Sequence, residues 1–162
     1  MDDKLGRNSM GINLMSDVFE GGNLIPTKHT CDDVNVSPPL RWSSLPEHTI
    51  SFAILCEDPD APIGIWTHWI IFNIPPDVME LSAGIKNEEK LENSMVQGIN
   101  DFGYSGYGGP CPPEGEEHRY YFRIYALDTT LNLRPSVKRE EFLRVLDENI
   151  LDEGQLIGIY RR

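Results

Sequence analysis

The sequence has few cysteines and no long apolar run. Its three cysteines, Cys31, Cys56 and Cys111, are too scattered for a disulfide framework or for a zinc ribbon, which requires paired CxxC spacing. Cys56 is expected to pack in the core, whereas a bridge between Cys31 and Cys111 stays open. No apolar run approaches the roughly 20 residues of a membrane-spanning helix. The N-terminus has two early acids and no apolar block, so we expect a cytoplasmic protein without a signal peptide.

Basic charge is also scarce. Lysine and arginine number 14 against 26 aspartates and glutamates, which gives a net charge of -12. Nucleic acids and anionic membranes attract basic surfaces, so we expect neither a nucleic-acid partner nor a stable membrane association. Any bound anion must therefore be held by local donors.

Familiar catalytic motifs and repeats are missing as well. No GK[ST] follows the glycine-rich segment, and that segment precedes a predicted strand, which excludes a Walker A loop and a dinucleotide fingerprint. There is no nucleophile elbow or HExxH element. No repeat or low-complexity tract interrupts the 162 residues. We expect one domain over residues 1–162, without a cofactor, metal or catalytic residue.

What the sequence does contain is a series of alternating segments separated by turn clusters. Its 12 prolines and 14 glycines concentrate between these segments. The strongest predicted strands are 50–56, 68–74 and 119–127, because they alternate and are rich in β-branched and aromatic residues. A short strand-like segment, QLIGIYRR, ends the chain. The pattern predicts an antiparallel β-sandwich or barrel.

One helix is predicted near the C-terminus. Ser136 is placed to cap a helix over residues 136–151. Gly154 is expected to end this helix or the turn after it. The apolar residues with helical spacing are Phe142, Val145, Leu146 and Ile150. The fold class is therefore mainly β with one helix packed on it.

Three of the alternating segments each carry an ionisable residue at one end. Every second residue of a strand lies on the same side of the sheet. Asp58 is the last, C-terminal residue of its row, whereas His68 and His118 are the first, N-terminal residues of theirs. The rows are Ile50, Phe52, Ile54, Cys56 and Asp58; His68, Ile70 and Phe72; and His118, Tyr120, Phe122 and Ile124.

The spacing between the first two rows favours an antiparallel pair. Nine residues with two prolines and one glycine separate Asp58 from His68, too few for a helical crossover, so both lie at the same end. A carboxylate and two imidazoles over an apolar floor would form a ligand site. The alternative for each histidine is an ordinary hydrogen-bonded core or edge position. The DPDAP segment could equally be a rigid strand exit in which Asp60 accepts turn N–H groups.

A glycine- and proline-rich loop, GYGGPCPPEG at 106–115, leads to His118. Its glycines would let backbone N–H groups approach an anion, while its prolines stiffen the path. Glu114, Glu116 and Glu117 also precede His118. Such a run is usually a solvated surface. Close to His118 it would favour the protonated imidazole and repel an anion at longer range, so its net effect stays open.

Four segments resemble the phosphatidylethanolamine-binding protein family, also called the Raf kinase inhibitor protein family, in its short bacterial and archaeal branch. They are TCDDVNVSPPLRW at 30–42, DPDAP with HWIIFNIP at 58–75, QGINDFGYSGYGGPCPP at 97–113 and HRYYFRIYALD at 118–128. The resemblance implies two antiparallel sheets in Greek-key order, an anion pocket at one edge and often a homodimer. It places the following residues in or beside the pocket: Asp58, Pro59, His68, Trp69, Gly109, Pro110, Cys111, Pro112, Pro113, His118 and Tyr120.

Three functions follow as hypotheses. The first is a non-enzymatic binding protein for a small phosphorylated or other anionic ligand, such as phosphate or a phospholipid head group. The second is a protease or kinase inhibitor that acts through the rigid proline-rich loops. This chain stops soon after its predicted helix, so we expect it to lack the C-terminal helix beside the pocket of eukaryotic members. The third is a hydrolase or metal enzyme that uses Asp58, His68 and His118, with Cys111 as a candidate nucleophile.

Overall fold

The computed structural model describes residues 11–162, which form two antiparallel sheets and one α-helix. The smaller sheet has the order β1-β2-β5, and the larger has the order β6-β4-β3-β7-β8. The strands are β1 (Asn13–Met15), β2 (Leu40–Ser43), β3 (Ser51–Asp58), β4 (Trp66–Ile74), β5 (Glu80–Leu81), β6 (Val96–Gln97), β7 (Glu117–Leu127) and β8 (Ile150–Arg161), and the helix α1 is Arg139–Asp147. The predicted β-sandwich with one packed helix is confirmed.

The central strand β3 is buried at every position. Phe52 and Ile54 face the core between the sheets, whereas Ala53 and Leu55 face the layer that contains α1. A strand covered on both faces needs apolar residues at consecutive positions, which explains the run SFAILC. Ile50, predicted to begin the apolar row, lies just outside β3 and is 48% exposed.

Strand β4 pairs antiparallel with β3, as the short connection predicted. The prediction that His68, Ile70 and Phe72 lie on one face of β4 is wrong. Ile70 and Phe72 pack on the helix side of the sheet, while Trp69 and Ile71 belong to the core between the sheets. His68 therefore does not share a face with Ile70 and Phe72.

A β-bulge explains the position of His68. Cys56 pairs with Trp69, but the next residue of β3, Glu57, pairs with Thr67, which leaves His68 as an extra residue in β4. An extra residue bends the strand and redirects a side chain. The His68 ring consequently lies against the ring of Tyr120, with centroids 5.2 Å apart. Tyr120 belongs to the core between the two sheets.

The helix is shorter than predicted. It begins at Arg139 and ends at Asp147, with Lys138 at the N-cap and no side-chain capping bond, so Ser136 is not its cap. Gly154 does not end the helix or a turn; it lies within β8. A Cβ at Gly154 would collide with the Ile12 carbonyl, so glycine there allows the chain near residue 12 to approach β8.

Cys31 and Cys111 form a disulfide, with an S–S distance of 2.04 Å, whereas Cys56 is a buried free thiol. The bridge joins the segment after the 3-10 turn Thr27–His29 to the glycine- and proline-rich loop. The pairing that the sequence left open is thus resolved. Within residues 11–162, no helix has the length and apolar character needed to cross a membrane.

The outer edge of β8 is covered by an earlier part of the chain. The Gly22 and Ile25 N–H groups donate to the Ile157 and Ile159 carbonyls, at 2.7 and 2.8 Å. Leu24 forms a parallel bridge to Ile159. The exposed row of backbone groups that an edge strand would otherwise present is therefore occupied here.

Candidate functional site

A pocket of about 290 Å³ lies where β3 ends and where β4 and β7 begin. This volume is close to the lower end of the range for small-ligand sites. Apolar and aromatic side chains form most of its wall, and four polar side chains converge on it. The lining residues are Asp58, Ala61, Pro62, Ile63, Trp66, His68, Phe102, Cys111, Pro112, Pro113, His118 and Tyr120.

His118 is held between two carboxylates. Its Nδ1 lies 2.7 Å from Asp58 Oδ2, and its Nε2 lies 2.7 Å from Glu116 Oε1. Carboxylates at both ring nitrogens require both nitrogens to donate, which is the protonated imidazolium. Burial opposes that charge, but the hydrogen bonds to Glu116 and Asp58 outweigh burial and raise the pKa of His118. The pocket wall thus contains a buried cation.

Asp58 is fixed at both of its oxygens. Its Oδ1 accepts the Asp60 N–H at 2.7 Å, while its Oδ2 contacts His118. We expected the Asp60 side chain to accept turn N–H groups, whereas in this turn the Asp58 side chain accepts the N–H of Asp60. Asp60 instead accepts a two-pronged hydrogen bond from the Arg119 guanidinium, at 2.9 and 2.8 Å. The hydrogen bonds from Arg119 lower the pKa of Asp60 and tie the DPDAP turn to β7.

His68 has the opposite electrostatic character. Its Nδ1 lies 2.6 Å from the Gly108 carbonyl, which can only accept, so Nδ1 carries the proton. Burial lowers the pKa of His68. A neutral His68 with its proton at Nδ1 has an unprotonated Nε2, which can accept a hydrogen bond.

Tyr120 contributes a hydroxyl group that lacks a protein partner. The side chain is 1% exposed and lines the pocket, and its buried hydroxyl makes no hydrogen bond. A buried hydroxyl without a partner costs roughly 1–3 kcal/mol. Burial raises the pKa of Tyr120, so the group remains a neutral O–H donor. This donor is available to a bound ligand.

The glycine-rich loop is pinned beside the pocket by its own backbone. The Gly108 N–H donates to the His68 carbonyl at 3.0 Å, and the Gly109 N–H donates to Asn35 Oδ1 at 2.8 Å. A Cβ at Gly109 would collide with the His29 carbonyl. The expectation that these loop N–H groups hold an anion is therefore wrong for Gly108 and Gly109, which already bind protein acceptors.

The structure brings together most, but not all, of the residues selected from the sequence. Asp58, His68, His118 and Tyr120 converge on the pocket, and Cys111, Pro112 and Pro113 form part of its wall. Four selected residues are absent from the lining: Pro59, Trp69, Gly109 and Pro110. Trp69 is fully buried, and its indole N–H donates to Gln97 Oε1 at 2.7 Å.

Sequence reasoning missed five lining residues, Ala61, Pro62, Ile63, Trp66 and Phe102. The first four lie in or directly after the β3–β4 connection, so their proximity to Asp58 was available as a signal. Phe102 comes from a distant segment and meets the edges of Trp66 and His68, with centroids 5.5 Å apart in each case. Only the tertiary fold reveals that contact.

The geometry of the described residues does not favour the thiol-nucleophile and metal versions of the enzyme hypothesis. Cys111 is in a disulfide, so the candidate thiol nucleophile does not exist in this structure. Among residues 11–162, no three His, Cys, Asp or Glu side chains are grouped so that they could hold a metal ion. Both nitrogens of His118 and one nitrogen of His68 are already hydrogen-bonded.

Comparisons with known proteins agree on one family. The model of the phosphatidylethanolamine-binding protein family matches residues 15–161. A UPF0098 protein of Methanothermobacter thermautotrophicus is 48% identical over 93% of this chain and 99% of its own length. A UPF0098 protein of Pyrococcus abyssi is also 48% identical, over 91% of this chain and 84% of its own length.

Two solved structures have the same fold. A phosphatidylethanolamine-binding protein homologue from Chlamydia trachomatis has a TM-score of 0.85 and 38% identity, covering 94% of this chain and 99% of its own. YbcL of Escherichia coli, described as a member of the mammalian family, has a TM-score of 0.88 and 34% identity with the same coverage.

Proposed function

Because the chain belongs to the phosphatidylethanolamine-binding protein family, we propose that it is a binding protein whose pocket takes a small phosphorylated or other anionic ligand. The proposal rests on the imidazolium of His118 in the pocket wall, beside the unpartnered hydroxyl of Tyr120. A cation and a neutral O–H donor in a largely apolar enclosure suit an anion, because charge-assisted hydrogen bonds are strongest where water is excluded.

The size and walls of the pocket support a ligand with a small anionic group. About 290 Å³ accommodates a phosphate with a short substituent. Asp58 serves in this scheme to orient and charge His118, because its two oxygens are already engaged. Through Nε2, His68 would accept a hydrogen bond from a hydroxyl or ammonium group of the ligand.

An amide NMR titration tests the proposal. Inorganic phosphate, phosphoethanolamine and a nucleoside monophosphate are added separately to the wild type, to His118→Asn and to His48→Asn. His48 is a matched control, because it is exposed and lies just before the start of β3, whereas the pocket lies at the other end of that strand. Its φ of 71° is a conformation that asparagine tolerates. We expect shifts near residues 58, 68 and 106–120 for the wild type and His48→Asn, and at least a tenfold weaker affinity for His118→Asn.

The pH dependence gives the second arm of the same test. The folded pKa of His118 lies above 6.5, so its charge is present below that pKa and is lost as pH rises through it. Sulfate keeps a constant charge over this range, and its affinity should fall between about pH 6 and 8.5. An affinity that rises over that interval, or shifts confined to other regions, would contradict the proposed site.

Inhibition of a kinase or protease, a homodimeric state and a cytoplasmic location stay predictions. Activity assays against enzyme panels and sedimentation measurements address the first two. The disulfide bears on the third, because such bonds are typical of oxidising compartments and of intracellular proteins from hyperthermophiles.

A further inference from the structure

We propose that the Glu116 carboxylate competes with an incoming anion for the Nε2–H of His118, and that it must release this donor before a ligand can use it. The inference deepens the proposed function and rests on it. Glu116 must leave Nε2 of His118 before a ligand can bind there, so the residue at position 116 affects ligand affinity.

The two carboxylates beside His118 differ in how firmly they are held. Asp58 has a side chain that is 4% exposed, and it is fixed by the Asp60 N–H as well as by His118. Glu116 has a side chain that is 47% exposed, next to the start of β7. Glu116 is therefore the contact of His118 that can exchange with a ligand.

The backbone of Glu116 is fixed, so exchange requires only a side-chain rotation. Its N–H donates to the Pro113 carbonyl at 3.1 Å, and its carbonyl accepts the Arg162 N–H at 3.3 Å. Rotamer changes of exposed side chains occur within nanoseconds, and here the rotation must also break the 2.7 Å contact with His118 Nε2. The carboxylate can swing into solvent without disturbing the loop or β7.

The negative charge of Glu116 also opposes the binding of an anion. Asp58 and the imidazolium of His118 form a neutral pair, and Glu116 gives the group a net charge of -1. Glu116 is not among the residues that line the pocket, so it holds Nε2–H from outside the cavity. An anion that enters the pocket meets this negative charge and finds both N–H groups of His118 in use. Once Glu116 has moved away, Nε2–H is a free donor on a ring whose centroid lies 6.5 Å from that of Tyr120.

The Tyr120 hydroxyl, which has no protein partner, is a second donor of the pocket wall that Glu116 does not use. A ligand that completed the site would satisfy the Tyr120 O–H as well as Nε2–H, whereas Glu116 contacts His118 and leaves Tyr120 without a partner. Glu116 therefore reproduces only part of what a ligand would supply. A phosphate offers more acceptor oxygens than a carboxylate and should displace it more readily than a small carboxylate does.

The test compares Glu116→Gln and Glu116→Ala with Glu114→Gln. The control removes the same charge two residues away on the same exposed loop, so it reproduces any long-range effect of net charge. Because removal of Glu116 also removes a hydrogen bond that raises the pKa of His118, the titrations are done below the ordinary pKa of histidine. Inorganic phosphate is titrated into each protein by calorimetry at about pH 5.5. We expect about a tenfold gain in affinity for both Glu116 variants, and less than a twofold change for Glu114→Gln.

Imidazole ¹⁵N NMR separates displacement from a structural role. In the wild type, phosphate should shift the Nε2 resonance of His118 while the Nδ1 resonance, which reports the Asp58 contact, stays nearly constant. A purely structural Glu116 would lower stability on substitution without any gain in affinity.

The outcomes distinguish this inference from the proposed function. If the wild type and the Glu116 variants bind phosphate equally, or if Glu114→Gln gains as much, the role of Glu116 is refuted while the pocket stands. If none of these proteins binds phosphate, the proposed function itself fails and the inference fails with it. Binding by the Glu116 variants alone would support both.

Discussion

Tyr120 and Tyr107 are two buried tyrosines with opposite hydrogen-bonding states. Each is 1% exposed. The Tyr107 hydroxyl donates to the His29 carbonyl at 2.7 Å, whereas the Tyr120 hydroxyl makes no hydrogen bond. The same substitution, tyrosine to phenylalanine, should therefore have different consequences at the two positions.

Tyr120→Phe should leave the free energy of unfolding unchanged or raise it by up to about 1 kcal/mol, because it removes an unsatisfied buried group. Phosphate affinity should fall about tenfold or more, since a hydrogen bond to a charged group is worth roughly 1.5–3 kcal/mol. Urea unfolding and calorimetry measure the two quantities.

Tyr107→Phe is the matched control for this prediction. It leaves the His29 carbonyl without its donor, so it should lower the free energy of unfolding by about 1 kcal/mol. Its effect on phosphate affinity should be smaller than that of Tyr120→Phe. A loss of stability in Tyr120→Phe with unchanged affinity would show that the hydroxyl serves the fold and not the site.

The strands show how far alternation can be read from sequence. The row in β7 and, apart from the exposed Ile50, the row in β3 are assigned correctly, since their apolar members belong to one core cluster, which includes Phe52, Ile54, Phe122 and Ile124. The row in β4 fails at His68, because a bulge depends on pairing with β3 and leaves no mark in the alternation of a single strand. His68 still reaches the predicted end of the sheet, but for a different reason from the one inferred.

The helix and the acidic run mark two other limits of sequence reasoning. Ser136 has the chemistry of an N-cap, yet α1 begins three residues later, where Phe142 and Leu146 are buried against the larger sheet. Tertiary packing therefore set the helix boundary.

For Glu116, the sequence indicated both a solvated residue and a partner of His118, and only side-chain geometry shows that it contacts Nε2.

The disulfide carries a prediction for the loop and the segment that it joins. Cys31 and Cys111 are separated by 80 residues. Cross-links that close long loops typically contribute about 2–4 kcal/mol, by restricting the unfolded chain. The double variant Cys31→Ser/Cys111→Ser should lose about that amount in urea unfolding.

A reductant gives the control for the disulfide prediction. It should destabilise the wild type to a similar extent and leave the double variant unaffected, because the remaining cysteine, Cys56, is a buried free thiol. Equal stability of the wild type with and without reductant would contradict this contribution of the bridge.

The whole molecule carries a net charge of -12, which opposes the approach of any anion. Salt screens exposed charges over a Debye length of about 30 Å at 0.01 M and about 8 Å at 0.15 M, but screens buried pairs much less. Raising the ionic strength should therefore weaken the long-range repulsion more than the attraction within the pocket.

We expect phosphate to associate faster as the ionic strength rises from about 0.01 to 0.15 M. Stopped-flow fluorescence can follow the process, because Trp66 lines the pocket. Glu114→Gln, with one negative charge fewer, should show a slightly smaller acceleration. A rate that falls with salt would mean that local attraction at His118 dominates the field of the whole protein.

The covered edge of β8 restricts how two copies of this protein could assemble. A dimer that continued the larger sheet through β8 would need the backbone groups of Ile157 and Ile159, and these already bind Gly22 and Ile25. Forming such an interface would first require that residues 22–25 detach. The covering segment therefore disfavours, at residues 157–159, both a dimer and an aggregate that would add a strand to β8.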